Sequence, residues 1–352
     1  MKAVAYFNPL PITDDAALQD VALPMPVIGA RDLLVRVAAV SVNPADTKVR
    51  ASAQPEAGQA KVLGWDAVGT VETVGSAVAY FKPGDRVYYA GDITRAGTNA
   101  EFHAVDERIV GLAPRSLSDT EAAALPLTAI TAWELLFDRL KVPARATDAA
   151  NAPDGGGKTL LVIGGAGGVG SILLQLARQR TDLKIIATAS RPETRQWCLE
   201  LGAHHVIDHS QPLAAQLQSL DIDAVDMVAS LTQTEQHFAA AVALLRPQGQ
   251  FALIDDPKHL DAMQLKRKSI SLHWEFMFTR SMFETADIGQ QRELLNAVAA
   301  MVDAGQLKTT VQADLGPINA ANLRRAHALL ESGRSQGKVV LKGFAPETMN
   351  RP

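Results

Sequence analysis

Residues 159–170 read Thr-Leu-Leu-Val-Ile-Gly-Gly-Ala-Gly-Gly-Val-Gly, and this stretch decides the fold. Its apolar first half has the continuous pattern of a strand buried on both faces. The glycines that follow open a segment, 169–179, whose apolar residues fall at 169, 172, 173, 176 and 177, the spacing of a helix. Strand, glycine loop and helix together are the context that a GxGxxG fingerprint requires. Read from Gly165, that fingerprint gives Gly165 the tight turn and Gly167 the close approach of backbone to a diphosphate. Gly170 allows the packing of helix on strand, with Ala166, Gly168 and Val169 completing the cradle. Free amides and the helix dipole favour an anion there.

Working outward from the cradle, strands and helices alternate. LKIIATA (183–189) is the next strand, Glu193 to Leu201 the next helix, and Gly202 its C-terminal stop. HVIDH, DAVDMVAS and GQFALID continue the series, which predicts a doubly wound parallel sheet. About 20 residues past the cradle, NAD-binding folds place an acid that bonds the ribose 2'-hydroxyl. This chain has Ser190 and Arg191 instead, with Arg195 one turn into the helix, a hydroxyl and two guanidinium groups suited to a 2'-phosphate. NADPH is therefore the expected coenzyme, although Glu193 stands close by.

The first ~125 residues have a different texture, short alternating stretches such as 33–40, 67–74 and 86–90 separated by Pro and Gly turns. They suggest a compact β-barrel-like domain without long helices. Residues 120–140 have helical spacing broken at Pro126, and 144–157 read as a polar loop. A helix is expected at about 288–304, and the tail returns to a strand at KVVLKG. With 352 residues, two domains are expected. The 47% hydrophobic and 20% charged fractions suit a globular enzyme, and a net charge of −4 argues against a basic nucleic-acid surface. No apolar run reaches the length of a membrane span and no signal-peptide pattern opens the chain, so the expected location is cytoplasmic. One cysteine, Cys198, allows neither an internal disulfide nor a cysteine-rich zinc site. The eight histidines form no HExxH or His-x3-His pair.

These features, with 42–46 (VNPAD), 64–69 (GWDAVG), 82–87 (KPGDRV), 97–101 (GTNAE), 125–129 (LPLTA), 201–203 (LGA) and 337–341 (GKVVL), resemble the medium-chain dehydrogenase/reductase superfamily. Within it the chain looks like the zinc-free quinone oxidoreductase branch, in particular proteins labelled zinc-type alcohol dehydrogenase-like. The resemblance implies a GroES-like β domain from residues 1–128 and 288–352, and a Rossmann NADPH-binding domain from 129–287. It also implies a homodimer. The stretch 269–278 (SISLHWEFMF) is either the edge strand of that dimer or a set of aromatic residues lining the substrate cleft.

In zinc-dependent relatives the catalytic ligands come from a Cys matching Asn43, a His matching Trp65, and a Cys or Asp near Leu127. The amide, indole and isobutyl groups found here offer no metal site. Without zinc to stabilise an alkoxide, oxidation of a simple alcohol lacks an evident catalyst. Hydride addition to a quinone or an α,β-unsaturated ketone is easier, because the developing charge spreads onto an oxygen that a few hydrogen bonds can hold. Asn43 is expected to orient the reacting group, and Tyr89 or its neighbour Tyr88 to supply the proton unless solvent does. Thr131 is placed at the nicotinamide end, His209 near the adenine end, and Lys338 among the coenzyme-binding residues. Trp65, Trp274 and Phe276 are candidates for an apolar wall against a ring-shaped substrate, with core packing as the alternative for the tryptophans. Asp46 is expected to be structural. The competing readings are a reductase dedicated to one enone, and an NADPH-binding redox sensor or RNA binder with little turnover.

Overall fold

The computed structural model describes residues 1–145 and 157–344. The chain divides into two compact units, unit 1 from Met1–Leu127 and Phe278–Pro352, and unit 2 from Thr128–Met277. The expected division after 287 falls later in the chain than the observed one after Met277. Most of the loop expected at 144–157 lies outside the described residues.

Unit 2 is built on a six-stranded parallel sheet. Its strands lie in the order His205–Ile207, Lys184–Thr188, Thr159–Ile163, Val225–Ser230, Leu245–Leu253 and Ser271–Trp274. In order of appearance this is 3-2-1-4-5-6, the doubly wound pattern whose crevice opens where the first and fourth strands part. All five side chains of Thr159–Ile163 are buried, which explains why that strand carries no polar alternation. The glycine loop follows it and leads into the helix Gly168–Arg180. A core that includes Leu161, Ile186, Val228, Phe238 and Phe251 covers the sheet. The helix Thr234–Leu244 belongs to the same alternation.

Unit 1 is organised by the eleven-residue strand Asp32–Val42. It pairs antiparallel with Ala67–Val74, Phe102–Asp106 and Lys338–Lys342. The last pairing sets Val339 opposite Val42, which carries Lys338 to the strand's end at Asn43.

Two expectations for unit 1 need correction. The β-rich first segment contains the helix Pro44–Ser52, whose buried residues are Asp46, Thr47 and Arg50, so no apolar stripe announces it. The tail holds not only the strand at 338–342 but also the strand Val311–Pro317 and the helix Ala320–Glu331. Pro126 does divide the expected helical stretch, with Asp119–Ala123 before it and Pro126–Trp133 beginning on it. A six-residue π-helical run, Glu134–Arg139, then follows.

Candidate active site

The glycine cradle of unit 2 is shaped by close backbone packing. Gly164 takes φ +85°, and its N–H donates to Thr188 Oγ1 at 3.0 Å. Gly165 N–H donates to Thr188 O at 3.3 Å, tying the loop to the second strand. A Cβ on Gly170 would lie 2.5 Å from the carbonyl oxygens of both Gly164 and Gly165, so only glycine lets the helix start this close to the strand. At Gly167 the nearest atom to such a Cβ is 3.6 Å away, leaving that face of the loop open. The helical ladder begins with Ser171 N–H to Gly167 O at 2.8 Å, so the amides of Gly168, Val169 and Gly170 precede it. Open backbone, orphan amides and the dipole of a thirteen-residue helix fit the diphosphate of a dinucleotide.

At the end of the second strand, Ser190 is exposed. Arg191 Nε pairs with Glu193 at 2.9 Å. Arg195 donates to the carbonyls of Val206 at 2.8 Å and Ala189 at 3.3 Å, bracing the ends of two neighbouring strands. His209 is half-buried with its ring 6.0 Å from that of His237, and Thr131 is buried. Trp274 and Phe276 are about half exposed, at and just beyond the sheet's outermost strand.

In unit 1 the fold brings Asn43, Trp65 and Lys338 together around Asp66, which lies within the GWDAVG stretch (64–69) but carries no local sign of a role. The Asp66 carboxylate is fully buried. Its Oδ2 accepts from Ser41 Oγ at 3.0 Å, Asn43 Nδ2 at 2.8 Å and Lys338 Nζ at 3.1 Å, and its Oδ1 accepts from Leu127 N–H at 2.7 Å. The Lys338 ammonium also donates to Val42 O at 3.1 Å and to Asn43 Oδ1. Burial pushes the Asp66 carboxyl upward, and the Lys338 charge with the Asn43 and Leu127 donors pulls it back. The Asn43 amide thus bridges anion and cation, with a longer contact of 3.4 Å to Trp65 O. Asp46 closes the helix start by accepting Asn43 N–H at 2.7 Å, and burial raises its carboxyl to about 7.

The aromatic candidates of unit 1 make packed contacts. The Trp65 indole is buried edge-on against Phe278 at 6.0 Å, its N–H reaching Asp92 O at 3.4 Å. Tyr89 is buried, stacked on His103, and its hydroxyl meets His103 Nδ1 at 3.2 Å. Nε2 of that ring faces Ala96 O at 2.9 Å, which makes Nδ1 the acceptor and Tyr89 the donor. Burial lowers His103 to about 4, keeping the ring neutral. Tyr88 donates to Leu295 O at 2.5 Å. Among the described residues, no three His, Cys, Asp or Glu side chains are grouped as a metal centre would need.

Residues 29–115 match the alcohol dehydrogenase GroES-like domain, and residues 201–341 match the zinc-binding dehydrogenase family. The chain is 38% identical over 345 residues to a zinc-type alcohol dehydrogenase-like protein of Staphylococcus aureus, covering 97% of this chain and 99% of that one. It is 30% identical over 328 residues to 2-methylene-furan-3-one reductase of Solanum lycopersicum, covering 90% and 73%. A solved structure from Rhizobium etli CFN 42, named as a candidate zinc-dependent alcohol dehydrogenase, superposes with a TM-score of 0.92 at 57% identity, covering 98% and 99%. The chain belongs to the medium-chain dehydrogenase/reductase superfamily, with a GroES-like domain and a Rossmann-like parallel sheet. Its members are nicotinamide-dependent oxidoreductases, and this chain carries the architecture of one.

Proposed function

We propose that this chain is an NADPH-dependent reductase that passes a hydride to quinones or other conjugated carbonyl acceptors without a catalytic metal. The observation that carries this reading is the buried Asp66–Lys338 pair bridged by Asn43. Where zinc-dependent members of the superfamily place thiolate and imidazole ligands, this chain has an amide and a packed indole. The one carboxylate nearby is already neutralised by an ammonium group. Such a donor set does not fit a metal ion. An acceptor whose charge delocalises during reduction makes the smaller demand on the site. The similarity to an enone reductase points the same way.

In this reading Gly165–Gly170 hold the coenzyme's diphosphate, and Ser190 with Arg191 and Arg195 receive the 2'-phosphate. Thr131 takes the nicotinamide end and His209 the adenine end. The bound coenzyme supplies the hydride. Lys338 fixes the Asn43 amide, and Asn43 positions the reacting group. Trp65 and Tyr89 hold the surrounding wall by packing, and the exposed Trp274 and Phe276 remain the substrate-facing candidates. The protein is proposed to be a homodimer, and cytoplasmic residence completes the reading. Among the described residues no helix is long and apolar enough to cross a membrane.

The test is NADPH consumption with 1,4-benzoquinone, 9,10-phenanthrenequinone and several linear enones, with and without a chelator. Turnover unchanged by the chelator is expected. Activity lost to the chelator and restored by zinc would overturn the reading, as would absence of turnover with every acceptor.

A further inference from the structure

Unit 2 contains a pair of buried acids that neither the coenzyme cradle nor the Asp66 cluster uses. Glu134 opens the π-helical run Glu134–Arg139, shortly after the chain enters unit 2 at Thr128. Glu275 follows the outermost strand, Ser271–Trp274, shortly before the chain leaves at Met277. Both side chains are almost wholly buried, and the two carboxyl groups lie close enough to act directly on each other. Two ionised carboxylates have no donor between them, so a hydrogen bond within the pair requires a proton on one of them. With both ionised, Glu275 Oε1 faces no donor at all. The other oxygen, Oε2, accepts from Arg139 Nε at 2.8 Å, and the Glu275 N–H donates to Leu253 O at 2.9 Å. The first and last residues of a single π turn therefore both grip Glu275. Short π-helical segments persist where a specific contact needs the altered register.

We propose that Glu134 and Glu275 share a single proton and, with Arg139, form an alkali-labile latch that fastens the entering and leaving segments of unit 2 to each other. Burial, then the adjacent Glu134 charge, pushes Glu275 up to about 9, against the opposing pull of Arg139. Arg139 also acts, together with Lys141, on His273 of the outermost strand. Burial followed by the charges of Arg139 and Lys141 lowers His273, so that ring is neutral in the alkaline range.

The sign of the effect follows from proton counting. The folded chain keeps a proton on the pair from the ordinary Glu range near 4.5 up to about 9, while the unfolded chain has released it. Stability from the latch is therefore complete below that window and drains away as pH rises through it. Each pH unit in the window multiplies the unfolding constant by about ten for one proton.

Urea unfolding of the full chain between about pH 7.5 and 9, where His273 no longer titrates, tests the latch. Glu275→Gln and Glu134→Gln each retain a hydrogen-bonding side chain without a titrating proton. Each is expected to flatten the dependence by about tenfold per pH unit relative to the unaltered chain. The unaltered protein should also show a protonated-carboxyl infrared band at about pH 8 that fades by about pH 10, and in both variants that band should be weaker by about one carboxyl group. Equal slopes in all three proteins would overturn the proposal. Should one variant fail to fold, the other decides: a band at about pH 8 weaker than in the unaltered chain supports the shared proton, and a band of equal strength refutes it.

Discussion

Replacing Gly167 and Gly170 separately by alanine should divide the two tasks of the cradle. At Gly170 the added Cβ meets backbone on three sides, Gly164 O and Gly165 O at 2.5 Å and Gly165 C at 2.6 Å. Backbone cannot rotate away like a flexible side chain, so the helix start must lift off the strand, at a cost of about 1–3 kcal/mol. At Gly167 the backbone sits at φ −73° and ψ 178°, which any residue adopts, and the nearest atom is 3.6 Å from the new carbon. There the weaker N-cap preference of alanine and its smaller unfolded-state entropy oppose each other, leaving stability within about 1 kcal/mol. Coenzyme binding should respond differently. If a diphosphate lies against Gly167, the new methyl group stands in its path, and loss of even one charge-assisted bond weakens binding by about tenfold or more. Urea unfolding and titration of NADPH fluorescence measure the two quantities on the same samples. The expected pattern is a stable Gly167→Ala protein that binds NADPH poorly, and a Gly170→Ala protein impaired in both. Gly167→Ala binding NADPH as tightly as the unaltered chain would refute the assignment of this loop to the diphosphate.

Three further outcomes are expected. Lys338→Met strands the buried Asp66 charge and should cost about 3–5 kcal/mol in urea unfolding, most of it recovered by adding Asp66→Asn; a double variant no better than the single one would show that the pair is not coupled. Ser190→Asp places an acid where the 2'-phosphate is proposed to bind and should shift the kcat/KM ratio toward NADH by about 1–3 kcal/mol, whereas an unchanged ratio would place the phosphate elsewhere. His327 is buried, accepts from Arg50 Nε at 3.3 Å, and is lowered to about 3, first by burial and then by the Arg50 charge. Its contribution to stability is present above the ordinary value of 6.5 and is lost as pH falls toward 3, so His327→Gln should remove about 1.4 kcal/mol per pH unit from the acid sensitivity seen in thermal unfolding below about pH 6.

What the sequence disclosed about this fold follows the range of the forces involved. The strands of unit 2 are buried on both faces and announce themselves as apolar runs, and Gly164 to Gly170 sit where strand periodicity gives way to helix periodicity. Each of those signals is local. The helix Pro44–Ser52 turns Asp46, Thr47 and Arg50 inward, so apolar periodicity is silent there. Only Pro44 at its start and Asp46 three residues past Asn43 mark it. Of these buried polar groups Arg50 is satisfied from far away, by His327 and Glu331, 277 and 281 residues along the chain. Asp66 was visible as a carboxylate but not as the centre of a cluster, because Lys338 reaches it across 272 residues through a strand pairing that no local pattern encodes. Glu134 and Glu275 were hidden for the same reason, since two isolated acids reveal a shared proton only when folding brings them into contact.

The distinction between a buried ammonium and a bound metal ion bears directly on which reaction this site can perform. A catalytic zinc ion keeps an open coordination position and lowers the pKa of whatever oxygen enters it. The Lys338 ammonium has three protons, and Val42 O, Asn43 Oδ1 and Asp66 Oδ2 take them all. It neutralises Asp66 and locks the Asn43 amide, but it offers no vacant position to a substrate alcohol and cannot hold an alkoxide without breaking its own contacts. Holding an alkoxide on Lys338 would therefore require the site to give up the pair that organises it, leaving a buried carboxylate at a cost of several kcal/mol. Reduction of a conjugated acceptor makes no such demand, because the charge that hydride creates is delocalised and a proton can follow. The ion pair is for this reason better understood as a fixed scaffold under the proposed reductase site than as a surrogate Lewis acid.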